Sequence, residues 1–185
     1  MSRAFVNEDN AASQASQPVE RQVSEQPNYV IAHGLVLLQN QVSELQALHR
    51  QQLELGDSAD KQRLVDLERD LRYFTQRLQS AMVVTAALST DKVQIGSKVT
   101  YADEHDQRQQ VQLVGEDQAD ASHGLINWGS PLGRALLGAH AGDEVLWKRP
   151  AGDRMIEILE IEADPGSPSS PLLRPALANV RLITL

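Results

Sequence analysis

The chain has 185 residues, which is enough for one domain with an appendage or for two small domains. It contains no cysteine, which excludes disulfides, thiolate metal sites and cysteine nucleophiles, and its formal net charge of -8 opposes direct binding to a nucleic-acid backbone. No apolar run approaches the roughly 20 residues that span a bilayer, and the N-terminus lacks a signal-peptide core, so we expect a cytoplasmic protein without membrane contact.

The two ends of the chain have the composition of flexible segments. Residues 1–27 are rich in Ser, Gln, Asn, Ala and Glu and show no sustained apolar period, which predicts a disordered tail. Residues 164–185 begin with the linker-like sequence D-P-G-S-P-S-S-P and continue with an apolar stretch. This stretch could dock as an added strand or as a peptide ligand, and the sequence does not say where.

Residues 28–85 carry two helical patterns with apolar residues at alternating spacings of three and four. The apolar members of the two series are Leu35, Leu38, Val42 and Leu45, and then Leu64, Leu67, Leu71, Phe74, Leu78 and Ala81. Arg and Asp occupy the other faces of the second series. Such narrow stripes, joined by a short turn that contains glycine, predict an antiparallel α-helical coiled-coil hairpin. The alternative, two helices of an ordinary globular core, needs wider stripes.

The turn between the two helices reads L-G-D-S-A-D-K at residues 55–61. Continuing the second apolar series backward from Leu64 places Asp60 and then Asp57 on the seam of the hairpin. Because carboxylates are costly to bury, we expect this end of the hairpin to stand in water. The two acids are then either ordinary solvated surface or a pair of ligands that the tip carries to a metal.

Residues 90–163 change to a period of two, with short β-rich runs separated by turn signals, which predicts a small antiparallel β-sheet. One segment interrupts the strands and reads S-P-L-G-R-A-L-L-G from Ser130 to Gly138. Ser130 can cap a helix, Pro131 suits the first helical position, and Gly138 suits a left-handed exit. The predicted fold class is therefore α+β, a helical hairpin followed by a small sheet with one short helix.

The pattern of residues 90–163 resembles the C-terminal domain of the Gre transcription elongation factors (GreA and GreB), which has an FKBP-like fold. The resemblance rests on ordered blocks at compatible spacing, and a weaker match extends it over most of residues 28–163. The matching blocks are V-T-Y at 99–101, L-V-G-E-D-Q-A-D at 113–120, S-P-L-G-R-A-L-L-G at 130–138, G-D-E-V at 142–145, P-A-G followed by I-E-I-L-E-I-E, and in the first half N-Y-V near Asn28, Gly34, Gly56-Asp57 and the run from Leu64 to Leu78.

The resemblance implies a function and a partner. Gre factors bind the rim of the bacterial RNA polymerase secondary channel with the sheet domain and insert the coiled coil toward the active centre. Two acids at the tip then help to hold a second Mg²⁺, with which the polymerase hydrolyses the transcript of a backtracked complex. Hard Mg²⁺ prefers oxygen ligands, and a second metal can activate the attacking water. The factor alone is not an enzyme in this scheme and needs no cofactor of its own.

Carried over residue by residue, the resemblance makes Asp57 and Asp60 the candidate catalytic and metal-binding acids, acting only within a polymerase complex. It makes the segment from Ser130 the candidate polymerase contact. The residues of that contact are Ser130, Pro131, Leu132 and Arg134. Helix-start chemistry is the plain alternative for the first two, and Arg134 is otherwise a solvent-facing helix residue. We expect a monomer with no sequence-specific nucleic-acid binding of its own.

The tip and the arms depart from the family pattern. The family tip reads G-D-x-S-E-N and this chain reads G-D-S-A-D-K, so an alignment without a gap keeps both acids, whereas matching Ser58 to the family serine puts Ala59 in place of the second acid. Lys61 stands where the family has an amide, and Gly129 stands where some relatives have an acid. Each arm is about one heptad shorter than the family pattern, which at about 1.5 Å per residue removes roughly 10 Å of reach.

Three hypotheses follow. In the first, the protein is a secondary-channel regulator that modulates transcription elongation or initiation. It docks with its sheet domain and inserts a coil too short to reach the catalytic metal. In the second, it is a genuine transcript-cleavage factor in which Asp57 and Asp60 supply ligands and a changed pose makes up the length. In the third, it is a general interaction module whose C-terminal apolar tail recruits another protein.

Overall fold

The computed structural model describes residues 20–84, 87 and 89–163. Residues 1–19 of the predicted N-terminal tail, and the predicted linker and apolar tail at 164–185, lie outside the described residues. The described chain forms a helical hairpin followed by a five-stranded sheet with one short helix, which confirms the α+β fold class. Within the described ranges, no helix is both long enough and apolar enough to cross a membrane.

The hairpin consists of α1 (Ala32–Glu54) and α2 (Lys61–Gln79). At about 1.5 Å per residue, the two helices are roughly 34 and 28 Å long. The predicted apolar seam lies between them, with Leu38, Val42, Leu45 and Leu67 buried. The remaining apolar members of the α2 series are half-buried, as expected of two packed helices without a third layer along most of their length.

Two very short strands close the base of the hairpin. Strand β1 (Tyr29–Val30) precedes α1 and pairs in parallel with β2 (Met82–Val83), which follows α2. The Asn28 side chain adds a hydrogen bond of 2.7 Å from its Nδ2 atom to the carbonyl oxygen of Arg77. The chain therefore enters and leaves the hairpin at one fixed point.

The sheet contains the remaining five strands in the order β5-β4-β3-β7-β6. Their bounds are β3 (Lys98–Asp103), β4 (Arg108–Val114), β5 (Leu125–Asn127), β6 (Glu144–Trp147) and β7 (Arg154–Glu162). Neighbouring strands are antiparallel except β5, which pairs in parallel with β4. The predicted sheet is thus mixed at one edge, because two short 3-10 turns carry the chain back before β5 begins.

Helix α3 (Pro131–Leu136) packs on one face of the sheet and completes its core. The alternation predicted from the sequence is visible in β7, where Ile156 and Ile158 are buried while Met155 and Glu157 are exposed. The core residues are Val93, Val99, Tyr101, Val111, Leu113, Leu132, Leu136, Ile156, Ile158 and Ile161. This core holds α3 at a fixed place on the sheet domain.

Candidate functional site

The tip of the hairpin is a 3-10 turn at Gly56–Ser58 between α1 and α2. Gly56 has a φ of +52°, a left-handed conformation that glycine adopts at little cost, so the chain can reverse there. The following Asp57 is exposed. Its carboxylate makes no hydrogen bond or ion pair with a described residue, and it is therefore available to a ligand.

Asp60, the second predicted acid, is exposed but already has a structural role. It is the N-cap of α2, and its Oδ1 atom accepts a hydrogen bond of 3.0 Å from the backbone N–H of Arg63. Its own N–H donates to Oε1 of Gln52 at 3.3 Å, which ties the start of α2 to the end of α1. Sequence reasoning missed this cap, although an aspartate directly before an apolar helical period is a usual start signal.

The tip does not form a metal site by itself. Among the residues that the structure describes, no group of three or more His, Asp or Glu side chains is placed to hold a metal ion. Lys61 and Arg63 are exposed beside the two acids and offset their charge. An Mg²⁺ ion bound at Asp57 would need most of its ligands from water or from a partner, since Mg²⁺ requires six oxygens in near-octahedral geometry.

The predicted polymerase contact forms the start of α3. Ser130 is its N-cap, and its Oγ atom accepts a hydrogen bond of 3.1 Å from the N–H of Gly133, while Pro131 occupies the first turn. Gly138 has a φ of +85° and donates its N–H to the Val93 carbonyl at 2.9 Å, which ends the segment against the sheet domain. The helix-start chemistry expected of these residues is thus present.

The side chains of α3 divide between solvent and core. Pro131 and Arg134 are exposed, and so is Leu137 directly after the helix, with 39% of its surface accessible. Leu132, which was predicted to contact the polymerase, is 6% exposed and packs in the core of the sheet. A buried side chain cannot touch a docked partner, so the prediction is wrong for Leu132. The candidate docking surface, called the docking surface below, is Ser130, Pro131, Arg134 and Leu137.

A buried ion pair joins the hairpin to the sheet domain. The Arg77 side chain of α2 is 1% exposed, and its Nε atom donates to Oδ2 of Asp117 at 2.6 Å. Its Nη2 atom lies 3.3 Å from Oε2 of Glu116, close enough for ionic attraction although the angle does not make a hydrogen bond. Glu116 and Asp117 belong to the G-E-D-Q block that contributed to the resemblance.

Tyr73 strengthens this junction one helical turn away. Its hydroxyl donates to the other oxygen of Asp117 at 2.8 Å. Burial, followed by the charge of Asp117 and the hydrogen bond to it, raises the pKa of Tyr73 to about 12, so the hydroxyl remains a neutral donor at physiological pH. Asp117 is therefore held by two residues of α2 at once, and α2 cannot turn about its axis without breaking one of these contacts.

A close approach between α1 and the sheet domain completes the junction. A Cβ atom added to Gly34 would lie 2.2 Å from Oε1 of the buried Gln118, so glycine lets α1 approach this side chain without displacing it. Sequence reasoning did not assign Tyr73, Arg77 or Asp117 a role. The opposite charges were visible, but the partners are some forty residues apart, and no local period links them.

The chain was compared with known proteins. The family described as "Transcription elongation factor, GreA/GreB, C-term" matches residues 88–163. A GreB of Neisseria meningitidis serogroup B is 39% identical over 104 residues, which are 55% of this chain and 64% of the relative, so the match spans less than two thirds of that protein. A GreA of Pseudomonas aeruginosa is 33% identical over 147 residues, covering 69% of this chain and 92% of the relative.

The chain was also compared with solved structures. The GreA factor homolog 1 (Gfh1) protein of Thermus thermophilus is 22% identical, with coverage of 74% of this chain and 99% of that one, and a TM-score of 0.37. A GreA/GreB factor from Nitrosomonas europaea is 26% identical, with coverage of 72% and 97% and a TM-score of 0.36. TM-scores this low support no conclusion about the chain. The sequence match covers 92% of the Pseudomonas GreA, and it shows that the chain belongs to the GreA/GreB family of transcription elongation factors.

Proposed function

We propose that this protein binds bacterial RNA polymerase at the secondary channel and modulates transcription elongation, with α3 as the docking element and the short coil as the inserted element. The observation that carries the proposal is the junction at Arg77 and Asp117. It holds the hairpin, and with it the exposed acidic tip, in a fixed orientation relative to α3. A partner that binds α3 therefore determines the direction in which the tip points. A module that only recruits partners through a tail would not need this fixed relation.

The docking surface suits a protein partner. It combines the ring of Pro131 and the exposed Leu137 with the cation of Arg134 and the partly exposed Ser130. Arginine is enriched in interaction hot spots, and the exposed apolar groups beside it add surface that a protein partner can bury. The formal charge of -8 disfavours nucleic acid as the direct partner and leaves a polymerase protein surface as the better candidate. The proposal places the protein in the bacterial cytoplasm, acting as a monomer.

The length of the coil decides what the tip does in this scheme. The alignment with the Pseudomonas GreA has 147 positions, which is more than 69% of the 185 residues of this chain. The relative therefore has residues within the alignment that this chain lacks. Residues missing in this number are what a shortening of about one heptad per arm would produce. A deficit of roughly 10 Å far exceeds the misplacement of about 1 Å that catalysis tolerates. In the usual pose, the tip would therefore enter the channel without reaching the catalytic metal.

The protein is not an enzyme in this proposal, and it has no resident cofactor. Any Mg²⁺ belongs to the polymerase active site. The protein acts by occupying the channel, which excludes longer-coiled factors and changes access to the active centre. Competition with such factors is the direct consequence, because both would use the same docking place on the polymerase rim.

A specific observation favours the alternative of a genuine cleavage factor. Asp57 is exposed at the apex without a partner among the described residues, and Asp60 uses only one carboxylate oxygen for its cap. The tip could therefore offer two ligands to a metal that the polymerase also holds. This alternative requires a pose in which the sheet domain sits deeper on the channel rim than the length of the coil suggests.

The docking surface can be tested by the affinity for polymerase core enzyme. The double variant Arg134→Glu, Leu137→Ser should weaken binding by about tenfold or more, because a charge is reversed and an apolar contact is lost. Arg108→Glu is the matched control, since Arg108 is also exposed in the sheet domain and its side chain makes no hydrogen bond or ion pair with a described residue. Unchanged affinity of the double variant would show that the polymerase does not bind at this surface. If the parent protein does not bind, RNA polymerase is not its partner.

A further inference from the structure

Residues 20–28, which we call the N-terminal strap, contact α2 at their start through Glu20 and Arg21. Glu20 forms an ion pair with Arg72. The guanidinium carbon of Arg21 lies 4.0 Å from the ring centroid of Tyr73 and 5.1 Å from that of Phe74, and its Nη1 atom is 3.7 Å from Oδ1 of Asp70. The composition of this stretch predicted part of a disordered tail, yet the side chains of Glu20 and Arg21 have specific partners.

The other end of the strap touches the sheet domain beside the docking surface. The Gln26 side chain covers Gly129 so closely that a Cβ atom at position 129 would lie 2.0 Å from Oε1 of Gln26. Gly129 directly precedes Ser130, the cap of α3. After the strap, the rings of Tyr29 and Trp128 pack at a centroid distance of 5.3 Å. The strap therefore connects the middle of the coil with the start of the docking helix.

We propose that the N-terminal strap is a positioning element that holds the angle between the coil and the docking helix, an inference that draws its functional meaning from the proposed function above. Arg21 stacks on the tyrosine whose hydroxyl holds Asp117, so it limits rotation of that ring. Arg72 lies five residues before Arg77, about 7.5 Å along the helix from the junction. A contact at that distance from the pivot resists tilting of the coil better than a contact at the pivot itself.

Each contact of the strap is weak alone, because exposed ion pairs and exposed cation–π contacts contribute little. The strap can hold the angle only if its contacts act together. The informative variant therefore removes three of them at once by Glu20→Gln, Arg21→Ala and Gln26→Ala. The matched control carries Gln22→Ala, Glu25→Gln and Arg50→Ala, three exposed side chains that have no hydrogen bond or ion pair with a described residue.

Because the chain contains no cysteine, two introduced cysteines can be spin-labelled specifically in the full-length chain. Spin labels at Ser58→Cys on the tip and Lys148→Cys on the sheet domain report the angle by pulsed electron paramagnetic resonance. The parent and the control should give one narrow distance distribution. The strap variant should broaden it by about twofold or more, with the unfolding midpoint moved by less than about 4 °C. Restoring a cation with Arg21→Lys, while keeping the other two changes, should narrow the distribution again.

An unchanged width in the strap variant would overturn the proposal. In a polymerase assay, the strap variant should bind about as tightly as the parent and still compete with a longer-coiled factor, since the docking surface is intact. It should lose most of its effect on elongation, because the coil no longer points into the channel. Loss of binding together with an unchanged width would count against the strap as a positioning element. If the parent itself does not bind polymerase, the proposed function fails while the distance measurement still decides the role of the strap.

Discussion

The base and the tip of the hairpin both carry charged side chains, which are buried at the base and exposed at the tip. At the base, Arg77 is 1% exposed and Asp117 is 8% exposed, and the two are in direct contact. At the tip, Asp57 and Asp60 are exposed, with two exposed cations beside them. The same two helices therefore bury charge at one end and leave it in water at the other.

This difference indicates a structural role for the base of the hairpin and a functional role for its tip. Burial of a charge is expensive unless a partner and hydrogen bonds satisfy it, so the charges at the base are there to fix the position of the hairpin. Exposed carboxylates cost the fold almost nothing and remain free to meet a partner or a metal. The base should then control stability and orientation, whereas the tip should control the effect on transcription.

The largest effect is expected from breaking the base. Asp117→Asn leaves the buried Arg77 without its closest counter-charge and should lower the free energy of unfolding by about 3–5 kcal/mol, measured by chemical denaturation. Asp66→Asn is the control, because Asp66 pairs with Arg69 at 3.1 Å on a partly exposed face and should cost at most about 1 kcal/mol. Equal losses of unfolding free energy in the two variants would show that the ion pair at the base contributes no more to stability than a surface pair of the coil.

The second effect concerns the hydroxyl of Tyr73. Tyr73→Phe removes a hydrogen bond to a carboxylate and should cost about 1.5–3 kcal/mol. The pKa in the folded state, about 12, lies above the ordinary tyrosine value, so this contribution is complete below about pH 10 and is lost as the pH rises through 12.

The pH dependence can be followed by tyrosinate absorbance and by denaturation at each pH. The titration near pH 12 should be present in the parent and should be lost in Tyr73→Phe. Burial raises the pKa of Tyr101 as well, so Tyr101 should titrate above the ordinary tyrosine value in both proteins. If the stability of the parent and of Tyr73→Phe fell in parallel above pH 10, the account of Tyr73 would be wrong.

A third experiment compares two glycines of the docking segment. A Cβ atom at Gly133 would lie 2.3 Å from the backbone oxygen of Asn127, which cannot move easily, so Gly133→Ala should destabilise the sheet domain by about 1–3 kcal/mol. At Gly129 the nearest atom belongs to the flexible end of Gln26, so Gly129→Ala should cost less than about 1 kcal/mol. Thermal denaturation of the two variants measures the difference, and the reverse order would mean that α3 is not held as the structure describes.

The smallest effects on stability are expected at the tip. Asp60→Ala removes the cap of α2 and should cost about 1 kcal/mol, whereas Asp57→Ala should change the free energy of unfolding by less than about 0.5 kcal/mol. Chemical denaturation can resolve this difference. A large loss for Asp57→Ala would show that the first acid also has a structural partner, and the tip would then resemble the base.

The parts of the fold that local sequence signals describe were predictable. The seam follows from the spacing of Leu38, Val42, Leu45 and Leu67, and it is buried as that spacing requires. Helix α3 follows from a capping serine, a proline in the first turn and a glycine at the exit, each of which acts within a few residues of the chain. Membership of the GreA/GreB family was also predicted from the ordered blocks, and it is confirmed.

The parts that depend on distant partners were not predictable. Arg77 appears in the sequence as one more polar residue on a helix, and only the folded chain brings Asp117 to it. The same holds for the parallel strand β5, whose direction depends on the intervening turns, and for Arg21, whose partners are the rings of α2. At the tip, Asp60 carries a readable capping signal, but whether the two acids meet a metal depends on a partner that this sequence does not contain.

The central claim is that the coil enters the secondary channel without delivering a metal. Its most direct test is to incubate the protein with RNA polymerase from the same cell in a backtracked complex with Mg²⁺ and to follow the length of the labelled transcript, alone and together with a longer-coiled Gre factor. The account predicts no shortening by the protein alone and a dose-dependent block of cleavage by the longer factor. Prompt cleavage that is lost in Asp57→Ala would contradict the account and make this protein a cleavage factor.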